Sequence, residues 1–243
     1  MAPILKIEDL SYDYDGSGQP VFSGLSLEME PGEFIAVVGG SGVGKSTLLR
    51  CVAGLAEPVA GKIELCVPHD DSRRRKGIVF QDGRLMPWRR LRSNVAYGLM
   101  GLKLDAKQKR ARTDEVLALT RLDGLADRWP HQLSGGQVQR AGIARALAVH
   151  PHLLLMDEPF SAVDAITRRH LQDQLIAIWY KTRKAVMFIT HDIEEAVYLA
   201  DRVIVMAGSP ARIVMDERVG LVRPRERNSD ELQHLAHEIA QAL

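Results

Sequence analysis

The residues with the clearest chemical potential are glycines, hydroxyl side chains and one lysine between positions 39 and 47. The run consists of Gly39, Gly40, Ser41, Gly42, Val43, Gly44, Lys45, Ser46 and Thr47. Glycines let a backbone curl so that successive N–H groups face one anion. An apolar run at 34–38 precedes it and a helical pattern at 48–53 follows. This strand, loop and helix order favours a phosphate site over a glycine-rich turn, so the stretch predicts binding of a nucleoside triphosphate.

Two side chains of this stretch have predicted roles of their own. Lys45 can reach the β- and γ-phosphates of a bound nucleotide, and the Ser46 hydroxyl can hold Mg²⁺. The helix that follows contributes the N–H groups and the partial positive charge of its N-terminus.

Polar residues also end three further apolar runs, each typical of a buried parallel strand. The runs cover 77–80, 153–156 and 186–190. Gln81 ends the first, Asp157 and Glu158 end the second, and His191 ends the third. Ligands bind at the carboxyl ends of strands in open α/β sheets. Asp157 is thus predicted to orient Mg²⁺ and Glu158 to accept a proton from an attacking water.

The elements that position these residues predict an α/β protein with one domain over residues 1–243. Its α/β core is predicted at 1–81 and 151–222, a helical subdomain at 82–150, and a charged linker with a helix at 223–243. Antiparallel strands are predicted at 4–14, 21–30 and 62–67, with a turn at Asp15–Gly18. Asn228 is predicted to cap the last helix, with Glu231 at the third helical position.

The stretch 133–137, Leu-Ser-Gly-Gly-Gln, opens the last helix of the predicted subdomain. Ser134 and Gln137 have the spacing of a capping box. Gly135 and Gly136 cost about 1 kcal/mol each in a helix relative to alanine. Their presence indicates that an anion approaches this backbone closely, and an ordinary capped helix start remains the alternative.

The composition is that of an ordinary soluble globular protein. The chain has 243 residues and a net charge of +1, which gives no electrostatic reason to expect a nucleic-acid partner. It contains no apolar run of about 18 residues and no N-terminal signal pattern. Cys51 and Cys66 lack metal-ligand spacing and are predicted to be small buried side chains in a reducing compartment.

With these residues placed, the chain resembles the nucleotide-binding subunit of an ATP-binding cassette (ABC) transporter, from residue 4 to about 222. Its motifs follow the family's order: GGSGVGKS, Phe80-Gln81, LSGGQ, LLLMDEP, SAVD and Thr190-His191-Asp192. The resemblance implies an ABC-type P-loop ATPase core, in which a mixed sheet carries an antiparallel β-subdomain and an inserted helical subdomain.

The resemblance also implies roles for individual residues, with ATP and Mg²⁺ as cofactors. Residues Gly39 to Thr47 would bind the phosphates, and Tyr14 would stack on adenine, with Tyr12 as the alternative. Glu158 would be the general base, and His191 and Gln81 would act beside it. Mg²⁺ would be held by Ser46, Gln81 and Asp157. From the opposite subunit of a homodimer, the nucleotide would be contacted by Ser134, Gly135, Gly136 and Gln137. Asp164 would also belong to the nucleotide site.

The function implied by the resemblance is an ATPase that powers a membrane permease. The subunit would lie peripherally on the cytoplasmic face of the bacterial inner membrane. It would act on separate transmembrane subunits and, indirectly, with a periplasmic or extracellular substrate-binding protein. The alternative is a non-transport ABC ATPase of DNA repair or translation. Such proteins usually carry long insertions or two cassettes, and neither occurs in this sequence, which is also expected to lack an appended regulatory domain.

The stretch 80–88 resembles the importers for nitrate, aliphatic sulfonates, taurine and similar small anions, as do 190–197 and 209–212. In 80–88, Met86-Pro87-Trp88 follows the glutamine. Pro87 stiffens this loop and Trp88 offers a large apolar face, so docking of a permease near Gln81–Trp88 is predicted. The alternative is that Trp88 lies buried within the helical subdomain.

Overall fold

The structure of the chain is a computed structural model that describes residues 2–14 and 18–243. The predicted turn at Asp15–Gly18 therefore falls largely outside the described residues. The described chain divides into two compact units. The first combines the chain up to Cys66 with Ala185–Leu243, and the second is Val67–Lys184. The predicted subdomain limits of 82–150 remain a prediction.

Strands and helices follow one another in the order that the apolar patterns predict. The elements before the helical region are β1 (Leu5–Asp13), β2 (Pro20–Met29), β3 (Phe34–Gly39), α1 (Lys45–Ala53), β4 (Ala60–Leu65) and β5 (Lys76–Val79). The helical region contains α2 (Leu91–Tyr97), α3 (Ala106–Leu119), two short 3-10 helices (Asp123–Leu125 and Pro130–Gln132) and α4 (Gly135–Ala148). The remaining elements are β6 (Leu153–Asp157), α5 (Ala165–Thr182), β7 (Ala185–Ile189), α6 (Ile193–Leu199), β8 (Arg202–Gly208), β9 (Ala211–Arg218) and α7 (Asp230–Ala240).

The first unit is built on a mixed sheet with the strand order β4-β1-β2-β9-β8-β3-β7. Strand β1 pairs antiparallel with β2 and β4, which is the predicted antiparallel part. Strand β3 is parallel to both β7 and β8. All six residues of β3 and all five of β7 are buried, as expected for parallel strands covered on both faces.

The second unit contains the helices α2 to α5 and the parallel strand pair β5 and β6, in which Val79 is opposite Met156. The first four residues of β6 are buried and Asp157 at its end is half-buried. Gly77 of β5 lies where a Cβ would be 2.5 Å from the main-chain oxygen of Ala146, so only glycine lets α4 approach this strand so closely.

Two predictions about side chains are wrong. The last helix is capped by Ser229 and not by Asn228, because the Ser229 hydroxyl accepts a hydrogen bond from the Leu232 N–H at 3.3 Å. Cys66 is exposed, since it follows β4 at the edge of its sheet. Cys51 is buried as predicted, and burial raises the pKa of its thiol to about 11, which makes the thiol a poor nucleophile.

The aromatic contact between β3 and β7 offers a test of the core. Phe34 and Phe188 are both 0% exposed, with ring centroids 5.9 Å apart. We expect Phe188→Ala to lower the free energy of unfolding by about 3–5 kcal/mol, because it removes a buried ring and leaves a cavity. Urea unfolding followed by circular dichroism measures the change.

The control for this substitution is Val214→Ala on β9, where the side chain is 51% exposed. Its expected loss is about 0.5 kcal/mol or less. A loss for Phe188→Ala as small as that of the control would contradict the assigned place of Phe188 in the core.

Candidate functional site

The glycine-rich stretch forms the predicted loop between buried strand β3 and helix α1. Gly44 is the N-cap of α1, with φ of +105° and no side-chain hydrogen bond to the helix. A Cβ at Gly44 would lie 2.7 Å from Cγ1 of Val21, so both the backbone angle and the space require glycine. The start of α1 thus has helix N–H groups and no acidic residue in its first turn. Such a helix start suits an anion.

Lys45 lies folded over its own loop. Its side chain is 5% exposed, and Nζ donates hydrogen bonds to the main-chain oxygens of Gly39 at 2.8 Å and Gly40 at 2.9 Å. A buried ammonium group needs such partners, because an uncompensated charge would be strongly destabilised. The cation is therefore held against the loop by two main-chain oxygens.

Tyr14 adjoins the same loop, at the end of β1. Its hydroxyl lies 2.9 Å from Oγ1 of Thr47 in α1, and its ring is exposed. Tyr12 packs instead between aromatic neighbours, with ring centroids 5.2 Å from Tyr14 and 6.0 Å from Phe22. Of the two tyrosines, Tyr14 is the more exposed, and it lies beside the loop.

His191 is exposed on the turn between β7 and α6, and a closed set of hydrogen bonds fixes this turn. The buried Thr190 hydroxyl donates to Oε2 of Glu195 at 2.6 Å and accepts from the Asp192 N–H at 3.0 Å. Oδ1 of Asp192 in turn accepts from the Glu195 N–H at 3.0 Å, which caps α6. Because β3 and β7 are parallel neighbours, His191 and the Lys45 loop leave the same edge of the sheet.

In the second unit, Asp157 and Glu158 lie at the carboxyl end of β6, as predicted. The backbone of Glu158 has φ of +42°, a left-handed conformation that costs a non-glycine residue energy. The Ser161 hydroxyl donates to the Glu158 main-chain oxygen at 3.0 Å and stabilises the turn. Glu158 is therefore one of the described non-glycine residues that have a strained backbone conformation.

Asp164 caps α5, the helix that follows this turn. Its Oδ1 accepts from the N–H groups of Ile166 at 3.1 Å and Thr167 at 3.0 Å. Hydrogen bonds from Thr167 hold the pKa of the Asp164 carboxyl below its usual range, so the group is anionic at neutral pH. The carboxylate is also exposed.

The predicted capping box at the start of α4 is confirmed. Oε1 of Gln137 accepts from the Ser134 N–H at 2.9 Å, and the Ser134 hydroxyl accepts from the Gln137 N–H at 3.4 Å. The two glycines differ from each other. A Cβ at Gly136 would lie 2.8 Å from Cγ2 of Thr167, so packing against α5 explains this glycine. Gly135 is exposed, with room for a ligand to approach.

Helix α4 also holds the loop that follows Gln81. Nη1 and Nη2 of Arg145 donate to the main-chain oxygens of Arg84 at 2.6 Å and Gly83 at 2.7 Å. Nε2 of Gln139 donates to the Phe80 oxygen at 3.2 Å. The Gln81 loop and the helix that begins at Ser134 are therefore tied together within this unit. The predictions missed Gln139 and Arg145, because their partners lie about sixty residues away along the chain.

The loop that carries Trp88 is held by Asn94, which is fully buried. Its Oδ1 accepts from the Met86 N–H at 2.7 Å, while Nδ2 donates to the main-chain oxygens of Met86 at 3.1 Å and Arg89 at 2.8 Å. Trp88 itself is 71% exposed, so the alternative in which it lies buried in the subdomain is wrong. Asn94 was also missed, since a buried asparagine gives no signal in a hydrophobic pattern.

The structure thus places the predicted residues in two sets, one in each unit. The first unit holds the phosphate loop, Tyr14 and His191, and the second unit holds Gln81, the LSGGQ helix start and the β6 turn. Among residues 2–14 and 18–243, no helix is long and apolar enough to span a membrane.

Comparison with known proteins agrees with this arrangement. The taurine import ATP-binding protein of Pseudomonas fluorescens strain Pf0-1 is 48% identical over 214 residues, which cover 87% of this chain and 80% of the relative. An uncharacterised ABC transporter ATP-binding protein of Methanocaldococcus jannaschii is 41% identical over 246 residues, covering 98% of this chain and 91% of the relative.

Two solved structures have the same fold. CbiO1 of Clostridium perfringens, part of an ABC transporter complex, has a TM-score of 0.79 and 30% identity, with 90% of each chain covered. An ATP-binding cassette dimer bound to ADP and phosphate has a TM-score of 0.74 and 29% identity, covering 90% of this chain and 100% of that one. The ABC transporter family itself matches residues 22–161. This chain therefore belongs to the ABC transporter family.

Proposed function

We propose that this chain is the ATP-hydrolysing subunit of an ABC importer. Two copies would bind and hydrolyse ATP as a dimer and so drive transport of a small anion through a separate permease. The observation that carries the proposal is the buried Lys45 ammonium, fixed by Gly39 and Gly40 at the start of a helix without a side-chain cap. A preorganised cation beside helix N–H groups suits a polyphosphate.

The nucleotide would lie with its phosphates on the loop from Gly39 to Thr47 and its adenine on Tyr14. The exposed ring of Tyr14 and its hydroxyl contact with Thr47 support this assignment over Tyr12, whose ring packs against Phe22. An exposed aromatic ring suits stacking of a flat base such as adenine.

Mg²⁺ would be held by Ser46, Gln81 and Asp157. A hydroxyl, an amide oxygen and a carboxylate are the oxygen donors that this ion prefers. A single carboxylate with two neutral oxygen donors fits an ion that also binds substrate phosphates and water. When bound, the ion would neutralise charge that develops on the phosphate oxygens.

Glu158 would act as the general base. Its carboxylate would accept a proton from a water molecule as the water oxygen attacks the γ-phosphorus, and the bond to the β,γ-bridging oxygen breaks to leave ADP and phosphate. His191 would contact the γ-phosphate, and Gln81 would orient the water. The hydrogen-bonded turn around His191 and the turn after β6 support these roles, because they fix the backbone from which the two side chains extend.

The second copy would complete each site. Ser134, Gly135, Gly136, Gln137 and Asp164 would approach the nucleotide on the opposite subunit. Their support is the exposed Gly135 beside a capped helix start and the exposed, anionic Asp164. A related cassette has been solved as a dimer bound to ADP and phosphate.

The cargo would be taurine or a similar small anion such as a sulfonate or nitrate. Pseudomonas relatives that are 43–48% identical to this chain carry the name taurine import ATP-binding protein. No relative among these supports the alternative of a DNA-repair or translation ATPase. The subunit would bind permease subunits at the cytoplasmic face of the bacterial inner membrane, and a periplasmic or extracellular binding protein would deliver the anion.

The general base is tested by Glu158→Gln. This variant keeps the shape of the side chain and removes its basicity, so the ATPase rate should fall by about 10²–10⁴-fold while ATP still binds. Phosphate release measures the rate, and nucleotide titration measures binding. The matched control is Glu115→Gln on α3, an exposed residue that should keep the wild-type rate. Near wild-type hydrolysis by Glu158→Gln would refute its role as the base.

The composite site is tested by mixing two inactive chains. Ser134→Arg should block the site of the partner, and Lys45→Ala should lose its own phosphate contact. A mixed dimer would contain one intact site, formed by Lys45 of the first chain and Ser134 of the second. The mixture should therefore regain part of the ATPase activity in a phosphate-release assay. If Ser134 and Lys45 acted within one chain, the mixture would stay as inactive as each parent.

The docking surface is tested by Trp88→Ala in the assembled transporter. Removing an exposed tryptophan anchor typically costs 2 kcal/mol or more in binding, about 30-fold in affinity. Co-purification with the permease and taurine uptake should both decrease, while ATP binding is unchanged. The control is Met100→Ala, which removes another exposed apolar side chain. Normal permease binding by Trp88→Ala would refute the docking role, and uptake of only sugars or peptides would refute the cargo class.

A further inference from the structure

Helix α6 lies between the turn of His191 and a segment near the C-terminus, residues 219–225, which is called the C-terminal segment below. The helix has only seven residues, Ile193–Leu199. A helix this short is unstable by itself, because nucleation fixes several residues before many hydrogen bonds form. Contacts at its two ends must therefore determine where it lies.

At its N-terminus, α6 is rigidly tied to the His191 turn. Asp192 caps the helix and Glu195 in its first turn accepts from Thr190, so the hydrogen bonds run on both sides of His191. A displacement of α6 would consequently displace the turn that carries His191.

At its C-terminus, α6 ends in four main-chain oxygens that no helix N–H can reach. Nη1 of Arg225 donates to three of them, those of Val197 at 2.6 Å, Tyr198 at 3.1 Å and Ala200 at 2.6 Å. Nη2 of Arg223 donates to the fourth, that of Leu199. Two arginines from one segment thus satisfy the whole helix end and place positive charge where the helix dipole is negative.

Arg225 has further partners that fix it from the other side. Its Nε donates to the Leu221 oxygen at 3.1 Å and its Nη2 to the Val219 oxygen at 3.4 Å. The residue is 7% exposed, although the sequence predicted a charged linker here. A guanidinium group has five donors in one plane, which a lysine cannot reproduce.

Arg223 extends the same contact to the phosphate-loop strand. Its Nη1 donates to Oδ1 of Asp201, and Oδ2 of Asp201 accepts from the Phe34 N–H at 2.9 Å. Phe34 is the first residue of β3, whose other end leads into the phosphate loop. The segment therefore anchors both α6 and the start of β3.

We propose that Arg225, assisted by Arg223, is a positioning residue of the ATPase reaction: by closing the end of α6 it fixes the turn that presents His191. This inference rests on the role of His191 in the proposed function. It assigns the C-terminal segment, which carries Arg223 and Arg225, a part in turnover.

The test compares Arg225→Ala and Arg225→Lys with a control, Arg218→Ala, which removes an exposed arginine from β9. A misplaced catalytic group typically costs up to about 100-fold in rate. We expect kcat to fall about 10- to 100-fold in Arg225→Ala and less in Arg225→Lys, while the KM for ATP stays within about threefold. Arg225→Lys keeps the charge and the side-chain stem, so it remains testable if the alanine variant unfolds. The control should keep the wild-type kcat.

If Arg225 only stabilised the fold, its substitution would lower the rate equally in the wild-type chain and in a chain with His191→Ala. Each Arg225 substitution is therefore also made in the His191→Ala variant. If Arg225 acts through His191, its substitution should cost little further rate in that background. An equal loss in both backgrounds, or a wild-type kcat for both Arg225 variants, would overturn the positioning role alone. A wild-type kcat for His191→Ala would instead refute the role of His191 in the proposed function, and the positioning role with it.

Discussion

Burial of the parallel strands on both faces is the constraint on which the candidate site depends. Strands β3 and β7 expose no residue along their length, so polar chemistry can begin only where each strand ends. The phosphate loop, His191 and the pair Asp157 and Glu158 all follow this rule. In each unit, the apolar core and the position of the candidate site residues are thus two results of the same arrangement.

Within each unit, irregular segments are held by side chains that bond to main-chain oxygens. Asn94 holds the turn before α2, Arg145 holds the loop after Gln81, and Arg225 holds the end of α6. In each case a polar group that is wholly or largely removed from solvent satisfies backbone groups that no regular element can satisfy. Irregular segments gain fixed positions in this way without losing access to solvent at their tips.

The sequence was sufficient for the features that depend on neighbours along the chain. Apolar runs predicted β3, β6 and β7, and spacing predicted the Ser134 and Gln137 capping box. It failed where the outcome depends on distant partners or on position in the sheet. The accessibility of Cys66 follows from the edge position of β4, and the burial of Arg225 depends on the carbonyls at the end of α6, at least twenty-five residues earlier. Asn228 was confused with Ser229 because neighbouring polar residues have the same capping chemistry.

The left-handed backbone at Glu158 limits how far the stability of this protein can be raised by substitution at that position. Its φ of +42° costs an ordinary residue roughly 1–2 kcal/mol, and glycine would avoid that cost. Selection for thermal tolerance alone would therefore favour a glycine at 158, which lacks the carboxylate. With Glu158 as the proposed general base, stability and turnover oppose each other at position 158, and a stability screen without a counter-selection for turnover would favour a well-folded chain that no longer hydrolyses nucleotide.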